Sequence, residues 1–225
     1  MTSQNNENLK CNSARFKHAE ALYFLDTMRI PAIWNGHSDV FDFYLNTLVS
    51  SSAMVVDYVH SDFIFHTVKP SIYWLDWEKN RKNRDSMKNF IDSHPMNIAI
   101  NKFLRFFKDE RERLHRKPLV NYFMLKRNKI THIRWDATKF ASYSETLSGE
   151  QTYRERFIEN TIALEMYRTK QIPIPSDYFD ERISDKDKEI TLARLSSEPM
   201  LDICKEYLDE LFAYIQIFEE KNFFR

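Results

Sequence analysis

Apolar side chains recur at intervals of three and four along most of this 225-residue chain, and polar breaks between the runs divide it into helices. The first predicted helix begins near Ser13, follows Phe16, Ala19, Leu22 and Tyr23, and stops before Pro31. Asn35-Gly36 marks a turn. Ser38 or Asp39 then caps a longer helix reaching about Phe63, with Phe41, Tyr44, Leu45, Leu48, Val49, Ser52, Val55, Val56 and Val59 on its repeating face. Its small centre, Ser50-Ser51-Ser52-Ala53, lets another helix approach closely. Pro70 opens a third helix through Tyr73, Trp74, Trp77, Met87, Phe90 and Ile91, ended by His94-Pro95. A fourth runs from about Met96 to Arg116, with Ile100, Phe103, Leu104, Phe107, Arg111 and Leu114 on one stripe. Pro118 starts a fifth, Leu119 to about Ile133.

After Trp135 the period is lost. Ser142 to Thr152 is rich in turn residues, and the following stretch suits short strands or a hairpin. Ile172-Pro173-Ile174-Pro175 is extended, because each proline drives its predecessor out of the helical region. Ser197 or Ser196 caps a last helix from about Glu198 to Lys221, with Leu201, Cys204, Leu208, Leu211, Phe212, Ile215 and Phe218 inward. The expected fold is all-α: one helical bundle over residues 1–225, with a disordered leader at 1–12 and a long irregular or β-hairpin insertion at 140–195. Two glycines, Gly36 and Gly149, are too few for an antiparallel β protein of this size.

Composition changes the picture in two places. The formal net charge is zero, yet residues 79–134 hold 16 Lys and Arg against 5 Asp and Glu, a net of +11, while residues 135–225 hold 12 against 19. A segment of that sign attracts phosphate backbones, or pairs with the acidic tail as a solvated face. The two cysteines give neither a disulfide framework nor a zinc site: Cys11 reads as a tail thiol and Cys204 as a small core residue. No apolar run is long enough for a membrane span, and the polar start lacks a signal-peptide core, so a cytoplasmic protein is expected.

Asp57 with His60, and Asp62 with His66, have spacings that suit metal ligands in a bundle. A di-iron site needs Glu-x-x-His elements, though, and residues 1–109 offer only Glu7, Glu20 and Glu78, so no metal or other cofactor is expected. His18, His37, His94 and His115 read as surface or capping residues. Trp74, Trp77, Phe103, Phe106, Phe107, Tyr122 and Phe123 have the spacing of core residues before that of base-stacking platforms.

The chemistry concentrates in Arg127-Asn128-Lys129-Ile130-Thr131-His132. A guanidinium can hold a phosphodiester, an amide can orient it, and an imidazole can move a proton near neutral pH. Asn128 and His132, at i and i+4, share a helix face, whereas Arg127 and His132 diverge by roughly 140° if the helix continues. The plainer alternative is that Arg127 and His132 are cations serving the last carbonyls of a helix end.

This motif resembles the signature of the HEPN superfamily, Arg-x(4 to 6)-His with Asn, Asp or His commonly after the arginine. The resemblance extends to the long helix with a small centre, the tryptophan-bearing helix, the aromatic run into the arginine and the closing Asp202-Ile203-Cys204-Lys205-Glu206-Tyr207-Leu208, loosely covering residues 13–135 and 198–221. It implies a homodimeric, metal-independent endoribonuclease, plausible in a toxin-antitoxin pair or in defence. In that scheme His132 is general base or acid, Arg127 stabilises the phosphate and Asn128 holds substrate or imidazole. Lys79, Arg81, Lys82, Arg84, Arg105, Arg113, Arg116, Lys117, Lys126, Lys129 and Arg134 would form the RNA-binding surface. Arg134 stands where the antitoxin-regulated members carry a tyrosine, so regulation through that tyrosine is not implied. The alternative is a non-catalytic HEPN-like module binding RNA, a nucleotide or a protein.

Overall fold

The computed structural model describes residues 11–30, 38–68, 97–132, 140–147, 150–157, 179–221 and 223. These form α1 (Asn12–Met28), α2 (Ser38–Phe63) running into a π-helical turn (Ile64–Val68), α3 (Asn97–His115), α4 (Pro118–His132), α5 (Asp185–Ser197) and α6 (Met200–Glu220). Between α4 and α5, β1 (Phe140–Leu147) and β2 (Glu150–Phe157) pair antiparallel, Phe140 opposite Phe157 and Leu147 opposite Glu150. The protein is predominantly α-helical. The tryptophan-bearing helix expected after Pro70 lies outside the described residues. No described helix is long and apolar enough to cross a membrane.

α6 is the central element, touching α1, α2, α3 and α4. Its buried stripe is Met200, Ile203, Cys204, Tyr207, Leu208, Leu211, Tyr214, Ile215 and Phe218, a repeat of three and four. The expected face is thus turned slightly: Tyr207 and Tyr214 join it, while Leu201 and Phe212 are half-buried. Phe63 stacks on Phe103 with centroids 3.7 Å apart, and Phe123 stacks on Tyr207 at 4.6 Å. These rings, Tyr122 among them, are core.

α1 departs most from its sequence pattern. Its buried positions are Ala14, His18, Ala21, Leu25 and Met28, while Phe16 and Tyr23 stay 68% and 66% exposed and Ala19 is exposed. The reason is close packing. α1 makes its most extensive contact with α2, whose Ser51, Ser52 and Ala53 are buried, and small Ala14 and Ala21 suit a short approach better than aromatic rings. A long-range cap fixes the start of α1. Asp62, far along α2, is buried, and its Oδ2 accepts from the backbone N–H of both Ser13 and Ala14 at 3.0 Å. Cys11, at the cap position, offers no side-chain bond of its own.

Cys11 is therefore no tail thiol. It is fully buried, and burial first, with the Glu219 and Asp62 carboxylates adding, pushes its thiol above the ordinary range. His18 is no surface residue either: its Nε2 lies 2.9 Å from the Leu208 carbonyl on α6. α5 stands largely within the segment for which the sequence predicts an irregular or hairpin insertion. Its start is marked by Ser184, whose Oγ accepts from Asp187 N, with Asp185 and Asp187 in the first turn. Thr191, Leu192 and Leu195 are its buried side, and Arg194 binds Glu198 and, on α6, Glu206.

Replacing Asp62 by Ala strands two N–H groups inside the fold and should lower stability by about 1–3 kcal/mol. The readout is the urea midpoint; an unchanged midpoint would mean the α1 terminus needs no partner. A second expectation concerns acid. Burial lowers the pKa of His18, His60 and His115 below the ordinary 6.5. The unfolded chain then protonates first, so stability is full above about pH 6.5 and declines as pH falls below it. Thermal melts should show a lower Tm at about pH 5.5 than at about pH 7.5, with His18→Gln flattening the trend. A level or rising Tm would contradict the burial of these imidazoles.

Candidate functional site

α4 carries the Arg127-to-His132 segment and is buried through most of its length. Leu119, Val120, Asn121, Tyr122, Phe123 and Met124 are all inside, facing α2, α3, α5 and α6 in turn. Unbroken burial from 119 to 124 means that α4 is packed around most of its circumference, and position 126 falls on a packed side. Lys126, expected on the RNA-binding surface, is only 2% exposed, and its Nζ lies 5.3 Å from the centre of the Tyr122 ring one turn back. The apolar stem packs in the core and the ammonium meets a ring face. It belongs to the bundle rather than to an RNA surface.

Arg127 is half-buried where α4 meets α2 and α6. Its Nη2 lies 3.8 Å from Asp57 Oδ2 on α2. Across the same junction, the buried Tyr207 hydroxyl of α6 is 3.2 Å from Ser52 Oγ, and Ser52 also donates to the Val49 carbonyl. Burial raises the Tyr207 pKa; the Ser52 bond and the Arg127 charge oppose that rise. The guanidinium thus sits beside Asp57 with part of its surface open to solvent.

α4 continues without a break to His132. Positions 127 and 132 therefore lie about 140° apart around one axis, and 128 and 132 share a side. The side chains of Asn128, Lys129 and His132 lie outside the described residues, as do Lys79, Arg81, Lys82, Arg84 and Arg134 altogether.

The remaining cations of the expected RNA surface divide. Arg113 is held by Glu110 and Arg116 by Glu112, each at 2.6 Å along α3. Lys117 pairs with Glu210 on α6, a contact between the basic segment and the acidic tail. Arg105 is exposed and borders a hollow of about 530 Å³ with Ile98 and Phe106. The positive charge of α3 is therefore partly answered by nearby carboxylates, and the described part of the surface is less basic than the segment count suggests.

The spacings that suit metal ligands do not converge. Asp57 faces Arg127, His60 packs on Phe103 and Phe107, and Asp62 caps α1. No group of three or more His, Cys, Asp and Glu suited to a metal occurs among the described residues. Asp57 is the neighbour of Arg127 that sequence did not supply, since its i+3 relation to His60 points to a different partner. Comparison with known proteins gives no match: no family model fits the chain, and no curated protein or solved structure is significantly similar to it.

The Asp57–Arg127 pair is long and part-exposed, so screening leaves it worth less than about 1 kcal/mol. A double-mutant cycle with Asp57→Ala and Arg127→Ala, read by urea unfolding, should give coupling below that figure. Coupling of about 3 kcal/mol, the range of a broken buried pair, would make Arg127 primarily a latch of the fold.

Proposed function

We propose that the chain is a HEPN-like, metal-independent endoribonuclease that acts on RNA as a dimer. The observation that supports this best is the position of Arg127: a guanidinium beside Asp57 of α2 and partly open to solvent, on the helix that ends with His132. RNA supplies its own nucleophile. The 2′-hydroxyl attacks the adjacent phosphorus, a base takes its proton, and the 5′-oxygen leaves with a proton, giving a 2′,3′-cyclic phosphate and a 5′-hydroxyl. Arg127 stabilises the added negative charge, His132 transfers the proton, and Asn128, on the same side of α4 as His132, holds substrate or imidazole.

The 140° divergence of positions 127 and 132 around α4 supports a site that a second protomer completes. Dimerisation needs an apolar face, and Phe16 and Tyr23 lie seven residues apart on the exposed side of α1, with exposed Ile30 just beyond its end. A second function, a non-catalytic RNA- or nucleotide-binding module, is favoured by the contact that ties Arg127 to Asp57 in its own bundle. Placement in a toxin-antitoxin or defence system rests on the resemblance alone.

RNA cleavage in EDTA by the wild type, Arg127→Ala and His132→Ala separates the two. The enzyme should lose about 10²–10⁴-fold activity in either variant while keeping its unfolding free energy within about 1 kcal/mol. Equal activity in all three proteins, or RNA binding with no cleavage by the wild type, removes the catalytic role.

A further inference from the structure

A second group of basic residues lines a cleft of about 250 Å³ between α3 and the turn before α5. It is lined by Lys108, Arg111, Glu112, His115 and Arg182. The first four fall at i, i+3, i+4 and i+7, one face of α3. Arg182 arrives from residues that are distant in sequence, and its delivery is built into the core.

Asn121, buried on α4, donates through Nδ2 to the His115 carbonyl at 2.9 Å and accepts through Oδ1 from the Asp180 N–H at 2.8 Å. One amide thereby ties the end of α3 to the 179–184 turn. Phe179 is buried beside it, 5.8 Å from the Tyr122 ring, so the turn is also held by packing. The turn is closed by Asp180, which accepts from the Arg182 backbone N–H, Nε and Nη2 at 3.0, 2.8 and 2.6 Å. Those bonds hold the Asp180 carboxyl down at about 2 and leave Arg182 Nη1 unused by Asp180.

The charges then sort themselves. Asp180 is answered by Arg182 and Glu112 by Arg116, at 2.6 Å in each case. Glu181 also lies in electrostatic range of Arg182, outside the lining; among the lining side chains Lys108 and Arg111 are the two positive charges with no ion pair among the described residues. His115 contributes none near neutral pH, because burial first, and then Arg111 and Arg182, lower its pKa below 6.5. A neutral imidazole beside two unbalanced cations and a guanidinium edge suits a compact dianion better than a chain of singly charged diesters. The cleft has room for one phosphate group rather than for a run of nucleotides.

We propose that the cleft lined by Lys108, Arg111, Glu112, His115 and Arg182 binds a terminal phosphate, the dianionic monoester of a nucleotide or a phosphorylated RNA end, through its cations. The site does not depend on the Arg127–His132 chemistry.

The test is calorimetric titration of the full chain with inorganic phosphate, with adenosine 5′-monophosphate, and with one RNA oligonucleotide bearing or lacking a 5′-phosphate. The wild type should bind the first two and prefer the phosphorylated oligonucleotide. Arg111→Ala and Lys108→Ala, both surface changes, should each weaken phosphate binding at least about tenfold, as expected for loss of a charge-assisted bond. Lys102→Ala, on α3 but outside the cleft, should bind as the wild type does. Adenosine binding as well as its monophosphate, equal affinity for the two oligonucleotides, no phosphate binding by the wild type, or unchanged affinity in the two cleft variants would each overturn the proposal. RNA cleavage measured on the same proteins distinguishes failure here from failure of the ribonuclease.

Discussion

Burial of one stripe of α6 is the constraint on which the rest of the molecule depends. Met200, Ile203, Tyr207, Leu208, Leu211, Tyr214, Ile215 and Phe218 need cover, and α1, α2, α3 and α4 supply it. Each fully buried large apolar side chain contributes about 1.5–3 kcal/mol, which no surface ion pair approaches. Hydrophobic burial is non-directional, however, and does not say how a neighbour is turned. Polar contacts to α6 do that. His18 fixes α1 against the Leu208 carbonyl, Arg15 forks onto Glu219, Ser52 meets the Tyr207 hydroxyl and Lys117 pairs with Glu210.

The position of α4 follows from this frame. Phe123 stacks on Tyr207, and Lys126 is enclosed over Tyr122, so the helix has no rotational freedom left by the time it reaches Arg127. A guanidinium that must meet a phosphate gains from such preorganisation. The same frame fixes the cleft on α3, because Asn121 of α4 joins the end of α3 to the turn carrying Arg182. Both candidate sites thus sit at ends of helices whose middles are locked by the core.

Much of the helical frame was legible in the sequence. The bounds of α2, α3 and α4 agree with the periodic pattern within a residue or two, and proline at 118 marked the start of α4. What failed were faces and partners. Phe16 and Tyr23 outweigh Ala14 and Ala21 in any hydrophobic periodicity, yet close packing on the small residues of α2 selects the alanines. α5 has a weak apolar pattern, and its clearest signal was the Ser184-Asp185-Lys186-Asp187 cap. Lys126 read as surface because a lysine is rarely enclosed, and only tertiary packing shows that α4 has no outer side there. Asp62 capping α1, Asp57 facing Arg127 and Arg182 joining α3 are long-range contacts, and one sequence carries no signal for them.

In the proposed ribonuclease, Arg127 and His132 are brought together from two protomers. Mixing inactive Arg127→Ala and His132→Ala proteins under conditions that exchange subunits tests this directly. In a mixed dimer, one site combines the intact arginine of one chain with the intact histidine of the other. Activity should return to roughly a quarter of the wild-type level at random pairing, half the dimers having one of two sites restored. A mixture as inactive as its components, despite demonstrated exchange, would contradict a site shared between protomers.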